Sequence, residues 1–293
     1  MTYLQSSYHL QRRKSPADLL PGTKSVIVLG LPYPLHPLER LKDMSIGLVS
    51  GYAIGEDYHQ RIPNMLAALV GYLREQLRPN SRVEVYSDSA PILERELAVR
   101  AGLGWIGKNS SLVNPTAGSA VLLAEIFIEY QLEPDAPYEE DRCGTCQRCI
   151  QACPTGCILP NRTIDARRCL SYHTIENRGS VPEEIMSKQG NWVFGCDICQ
   201  MVCPWNRHSV DSDRPLQLTV YQMKEMVKLP FSIIAERFPN SAIQRAKPNV
   251  FLRSLLIALV NTDALQVSEL QRSIDHEEDP GLQNLIDWVT HKK

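Results

Sequence analysis

The chain has 293 residues, 43% of them hydrophobic and 22% charged, with a formal net charge of −2; this is a folded globular composition, long enough for one large domain and a smaller one, or for two modest domains. The near-neutral balance excludes a global attraction to nucleic acid, so any such contact needs a local basic patch. No apolar run approaches the ~20 residues that cross a bilayer, and Met1-Thr2-Tyr3-Leu4-Gln5 has neither a basic start nor an apolar core, so the expected location is cytoplasmic.

In chain order, Lys24 to Gly30 reads as a buried strand running into a Pro-rich loop at Pro32 to Pro37. Between Asp57 and Leu77 the apolar positions Met65, Leu66, Leu69, Leu73 and Leu77 recur at helical spacing, with Pro63 as a kink or as the true first turn. Arg82 to Tyr86 alternates as a short strand. Pro91 to Ala101 reads as a helix capped by Ser89 or Asp88 and stopped at Gly102. Ser119 to Ile128 is a further strand. This mixture predicts an α+β or α/β domain over residues 1–135. Glu133-Pro134-Asp135-Ala136-Pro137 reads as a linker into a cysteine-rich segment at 136–210. Residues 211–293 read as helical, with helices at Asn249 to Val260, Leu265 to Ile274 and Gly281 to Val289 and a polar break at Asp275 to Pro280. Short consecutive helices of this kind resemble one or two helical-repeat units.

All nine cysteines fall between Cys143 and Cys203. Disulfides are unexpected in a reducing compartment, and such clustered spacing points to metal. Cys143-Gly-Thr-Cys146-Gln-Arg-Cys149-Ile-Gln-Ala-Cys153-Pro154 is the C-x2-C-x2-C-x3-C-P run of bacterial ferredoxins, whose fourth cysteine serves the other cluster. Cys196-Asp-Ile-Cys199-Gln-Met-Val-Cys203-Pro204 repeats the ending with one cysteine fewer. The spacing therefore predicts two [4Fe–4S] clusters. Cys143, Cys146, Cys149 and Cys203 hold cluster one. Cys153, Cys196 and Cys199 hold cluster two with either Cys157 or Cys169. Cys157 follows Cys153 too closely and reads as a spare buried thiol, so Cys169, on a separate segment, is the choice. Paired C-x2-C spacings also bind zinc, but two C-P endings in the crossed pattern favour iron–sulfur cubes.

Several longer stretches carry a resemblance. Asp88-Ser-Ala-Pro91-Ile-Leu-Glu94-Arg95 precedes Ala101-Gly-Leu-Gly104-Trp105-Ile-Gly107-Lys108-Asn109. Gly118-Ser119, Asp165-Ala-Arg-Arg-Cys169-Leu-Ser171-Tyr172-His173-Thr174-Ile175-Glu176 and Gly195-Cys196-Asp197-Ile-Cys199-Gln200 follow, with Cys203-Pro204-Trp205-Asn206 last. Together, over residues 12–260, these resemble the epoxyqueuosine reductases of queuosine synthesis in tRNA. The resemblance implies an N-terminal α/β cobalamin-binding domain at 1–135, a ferredoxin-like two-cluster module at 136–210 and a short HEAT-like helical region at 211–293. It implies reduction of the epoxide of epoxyqueuosine at the anticodon wobble position. The expected partners are a tRNA with a GUN anticodon and an electron donor such as a flavodoxin or ferredoxin system; no membrane is involved and a monomer is expected. Neither cobalamin nor a nucleotide fingerprint is legible from spacing alone. The chain departs from the family in its short N-terminal segment and in Cys157, where alanine is frequent.

A strained epoxide and a strongly nucleophilic reduced cobalamin are matched reactants, and the opening oxygen needs an acid within hydrogen-bond reach. The resemblance gives that role to Asp88, which by position alone reads more simply as a helix cap. Lys108 and Asn109, after a Gly-rich turn, and Ser171, His173 and Thr174, after Cys169, are the further expected cobalamin contacts. Taken singly each reads as an ordinary turn or core residue. Asp57-Tyr58-His59 has Ile62 where a histidine-ligated D-x-H-x-x-G site needs glycine, so cobalamin is expected base-off, without a histidine on cobalt. Trp105 and Trp205 shield the cofactor or fill the core. Arg12, Arg13, Lys14, Arg237, Arg245, Lys247 and Arg253 are the candidate phosphate contacts for tRNA. The competing readings are a reductive-dehalogenase-like cobalamin enzyme and a non-catalytic iron–sulfur electron carrier.

Overall fold

The computed structural model describes residues 6–77, 81–209, 217–265 and 280–291. In chain order α1 (Ser7–Lys14) precedes β1 (Ser25–Pro32), β2 (Ile46–Val49), α2 (Tyr58–Gln76), β3 (Val83–Tyr86) and α3 (Glu94–Arg100). A hairpin of β4 (Trp105–Ile106) and β5 (Leu112–Val113) leads into β6 (Val121–Ile128). The cysteine segment holds α4 (Arg148–Ala152), α5 (Leu170–Ile175), α6 (Glu183–Lys188), β7 (Trp192–Phe194) and α7 (Ile198–Met201). The last part comprises β8 (Gln217–Thr219), α8 (Val220–Met226), α9 (Phe231–Glu236), α10 (Pro248–Asn261) and α11 (Pro280–His291).

The three strands expected, two from apolar runs and one from alternation, form one antiparallel sheet, with β6 between β1 and β3. Period-two alternation assigns its faces. Ile126 and Ile128 pack with Val70 and Val83, so this face lies under α2. The opposite face carries Glu125, which lies across from Val28 and Tyr86 and meets α3. The α2 helix opens where Asp57 caps it by accepting the His59 N–H at 3.1 Å. The helix continues through Pro63, an exposed position early in it.

The expected helix at 91–101 begins only at Glu94, and neither Ser89 nor Asp88 caps it. Asp88 instead takes a left-handed turn, φ 51°, and its N–H donates to Glu94 Oε1 at 2.7 Å. Gly102 (φ 77°) ends the helix as expected.

A second sheet, in the order β7-β2-β8, was not legible beforehand. The β2 strand pairs parallel with β7 and antiparallel with β8, so residues 1–135, 136–210 and 211–293 each supply one strand. Against it packs α10, which also contacts α5, α6, α8 and α11. From Arg253 to Val260 every residue of α10 is buried, as an apolar helix at the centre of a core should be. Here one expectation is corrected. Arg253 is 2% exposed, and its guanidinium donates to the carbonyl oxygens of His173 at 2.8 Å, Asn177 at 2.7 Å and Gly179. It ties the loop after α5 to α10 and is not available to a phosphate. Arg253→Leu strands those carbonyls in the core and is expected to cost about 3 kcal/mol or more, read as a lower midpoint in urea unfolding. Arg237, Arg245 and Lys247 are exposed. The helix expected at 265–274 and the break after it lie outside the described residues, apart from Leu265 and Pro280. Among the described residues no helix is long and apolar enough to cross a membrane.

Candidate functional site

A cavity of about 600 Å³ opens where the two sheets meet the cysteine segment. Its floor is the start of β6, with Val121, Leu122 and Leu123. Hydroxyls of Tyr33, Tyr52 and Tyr58, with Ser119, Ser171 and Gln200, provide polar walls. Arg95 and Arg245 stand in its lining as cations. A large concavity with apolar walls and convergent polar groups is the usual form of a ligand site.

Asp88 projects into this cavity from the left-handed turn after β3, with its side chain 68% exposed. The Tyr58 hydroxyl donates to Asp88 Oδ2 at 2.7 Å, and His59 Nε2 stands 3.8 Å from the same oxygen. The other His59 nitrogen is 2.7 Å from Asp57 Oδ1, and Arg245 lies 3.8 Å from the second Asp57 oxygen. Burial and the neighbouring Asp88 carboxylate push the Tyr58 hydroxyl well above its ordinary range, so it remains a donor. Behind Asp88 burial pushes the Glu94 carboxyl up to about 7, against the Asp88 N–H, which pulls it down.

Deeper still, Glu125 is fully buried and neither of its oxygens has a hydrogen-bond partner among the described residues. Burial first, then the charges of Glu94 and Asp88, push its carboxyl from 4.5 up to about 9. Between those values the folded chain binds more protons than the unfolded one. The stability gained by keeping Glu125 neutral is therefore complete below about 4.5 and is lost as pH rises toward about 9. Glu125→Gln stays neutral throughout. Its thermal midpoint is expected to exceed that of the wild type near the upper value and to converge on it near the lower; parallel curves would contradict the assignment.

The cysteines gather in two sets. Cys143, Cys146, Cys149 and Cys203 line one small cavity, the grouping expected for cluster one. Cys153, Cys157 and Cys169 adjoin, with Cys153 Sγ 3.4 Å from Cys157 Sγ and Cys157 hydrogen-bonded also to Cys169. Cys196 and Cys199 lie within electrostatic reach of Cys169. The two motif helices, α4 and α7, pack on each other. Among the described residues no three ligating side chains converge on a single point. The thiolate-only donor set fits iron–sulfur clusters. Buried Asp197, between Cys196 and Cys199, accepts from the Ser50 hydroxyl and from Gly51 N at 2.6 Å. It clamps the end of β2 onto the second set.

The expected cobalamin contacts divide. Asp88 and Ser171 line the large cavity. Lys108 and Asn109 line the cluster-one cavity instead, where Lys108 Nζ donates to the carbonyls of Gly144 at 2.6 Å and Cys146 at 2.8 Å. His173 is buried, its Nε2 donating to Arg167 O at 2.8 Å and its Nδ1 accepting from Asn177. Thr174 Oγ1 is bound to the carbonyls of Leu170 and Ser171. Both hold the segment after Cys169 in place. Trp105 and Trp205 meet edge-on at 5.0 Å beside cluster one. Sequence reasoning missed Tyr33, Tyr52 and Gln200, whose Nε2 donates to the Tyr33 hydroxyl at 2.7 Å. Gln200 had a signal, because it directly follows Cys199.

Residues 13–89 match the family described as epoxyqueuosine reductase QueG, DUF1730, and residues 142–206 match a 4Fe-4S double cluster binding domain. An epoxyqueuosine reductase of Cyclobacterium marinum is 41% identical over 261 residues, covering 87% of this chain and 82% of the relative. That of Escherichia coli K12 is 42% identical, covering 86% and 68%. A crystal structure of epoxyqueuosine reductase with a tRNA-Tyr epoxyqueuosine-modified stem loop superposes with a TM-score of 0.79 at 26% identity, covering 96% of this chain and 86% of that one.

Proposed function

The chain belongs to the epoxyqueuosine reductase family, and from that membership we propose its full reaction: reduction of the epoxide of epoxyqueuosine to the alkene of queuosine, at the wobble position of a tRNA with a GUN anticodon. The large cavity, lined by Asp88, Tyr33, Ser171 and Gln200, would hold cobalamin, and the two cysteine sets would hold two [4Fe–4S] clusters. The observation that carries this reading is the placement of Asp88. It projects into a cavity whose other walls, at Ser171 and Gln200, lie within two residues of Cys169 and Cys199. An acid and an electron entry point therefore face one space.

Epoxide deoxygenation takes two electrons and two protons, breaks both C–O bonds, forms the C=C bond and releases the oxygen as water. Cobalamin, when bound, would supply a strongly reducing nucleophilic metal, and clusters on the cysteine sets would pass electrons singly from a donor such as a flavodoxin or ferredoxin system. The chain's own residues manage the oxygen. Asp88 gives a proton to it as the ring opens, while Tyr58 and His59 hold the carboxyl toward the cavity. The Tyr33–Gln200 pair and Ser171 offer donors and acceptors to a corrin's amide fringe. Lys108 and Asn109 serve cluster one, and His173 and Thr174 position the Cys169 segment.

We read residues 1–135 as the catalytic cobalamin-binding domain, 136–210 as the two-cluster module and 211–293 as a short HEAT-like helical region, in a monomer acting in the cytoplasm. Arg12, Arg13, Lys14, Arg237, Arg245 and Lys247, none of them buried, are the phosphate contacts retained for the stem loop. The cofactor assignment is tested by uptake. Wild-type protein is expected to take up about one cobalamin per chain, by the cavity reading. Val121→Trp, which fills the floor, should lose cobalamin and keep its iron. Failure of the wild type to take up cobalamin with both clusters present would contradict it.

A further inference from the structure

We propose that the Asn109 carboxamide donates a hydrogen bond to a sulfur of the cluster held by Cys143, Cys146, Cys149 and Cys203, and that it sets the potential of that cluster. The inference rests on the cluster-one reading above.

Asn109 is 3% exposed, in the turn between β4 and β5. Its Oδ1 accepts the N–H of Ser111 at 3.3 Å. That bond fixes the amide orientation, because a flipped amide would press N–H against N–H. The Nδ2 group is thereby turned the other way, buried, with no acceptor among the described residues. A buried amide without a partner costs about 1–3 kcal/mol, so a partner is called for. Asn109 lines the same small cavity as the four cluster-one cysteines. The acceptor that this cavity is built to hold is anionic sulfur, cysteinyl or inorganic.

Two neighbours make the same use of this stretch. Trp105 Nε1 donates to Cys143 Sγ at 3.4 Å, so one sulfur of the set already accepts an N–H. The Lys108 ammonium, bound to two carbonyls of the Cys143–Cys146 loop, places a positive charge beside it. Residues 105–109 thus present two neutral donors and a cation to one cluster. The second cluster has the buried Asp197 carboxyl between two of its cysteines instead. Hydrogen bonds to sulfur withdraw charge from it and favour the reduced cube, which raises the potential.

The test is an anaerobic redox titration with dithionite, followed by electron paramagnetic resonance, on cluster-loaded wild type and on Asn109→Leu. One electron converts each oxidised cube to its reduced form, taken from dithionite. The variant is expected to keep its iron and to show one cluster shifted to lower potential by about tenfold in its one-electron equilibrium, about 59 mV, with the other unchanged. Unchanged potentials in a variant that keeps its iron would overturn the proposal. If Asn109→Leu loses iron, the wild type decides. Protein labelled with 15N in the asparagine side chain should show hyperfine coupling to one reduced cluster, and absence of that coupling overturns the proposal. A wild type that never assembles two cubes would instead sink the cluster reading, a distinguishable failure.

Discussion

Asp88→Asn is expected to lower turnover of epoxyqueuosine-modified tRNA by about 100- to 10,000-fold, the usual contribution of a positioned general acid, with cobalamin and iron content unchanged. Asparagine keeps the size of the side chain and an oxygen for the Tyr58 hydroxyl, which donates to Asp88 at 2.7 Å. It removes only the transferable proton. The left-handed backbone, φ 51°, is one that asparagine tolerates as well as aspartate does, so the turn should survive. Rapid-quench turnover with tRNA nucleoside analysis reads the loss, and cobalamin absorbance reads retention of the cofactor. Turnover equal to the wild type in a fully loaded variant would remove Asp88 from the acid role. Tyr58→Phe should give a smaller loss, because it frees the carboxyl without removing its proton.

Cys169→Ala is expected to lose an entire cluster, so that iron falls from about eight to about four per chain and turnover disappears. Cys157→Ala is expected to keep all its iron. The two residues are a close contest. Cys157 is 4% exposed and sits between Cys153, at 3.4 Å, and Cys169. Two features favour Cys169. It lies two residues before Ser171 in the cavity wall, on a segment fixed by His173, Thr174 and Arg253. Cys157 instead directly precedes the Ile158–Ile164 antiparallel bridge, and its carbonyl accepts from Asp165 N. Iron analysis and the electron paramagnetic resonance signal of the reduced protein read the result. Iron lost from Cys157→Ala and retained in Cys169→Ala would exchange their roles.

The cluster region was legible because its ligands are local in sequence. Three cysteines within seven residues, and a C-P ending, state their chemistry without the fold. The main sheet was legible because β1 and β6 are eight-residue strands built mostly of apolar residues. The second sheet was not, since β2, β7 and β8 span three or four residues each. That is too short for a period, and the pairing joins segments more than 140 residues apart. The cavity walls were hidden for the same reason. Tyr33, Tyr58, Ser119 and Gln200 come from four distant stretches and converge only after both sheets form. Asn109 stood out in the sequence, but nothing local says which cofactor its amide faces. Arg253 did carry a signal. An arginine within Val250-Phe251-Leu252 and Leu255-Leu256-Ile257 has no polar face to occupy, so a buried carbonyl-binding role could have been inferred.

The most direct test is an anaerobic turnover with cluster-loaded protein, cobalamin, a strong reductant and tRNA carrying epoxyqueuosine, read by nucleoside mass spectrometry. The expected result is loss of one oxygen atom from the modified base, dependent on cobalamin and on Asp88. An unchanged modified base, in protein shown to hold both clusters and cobalamin, would contradict the account.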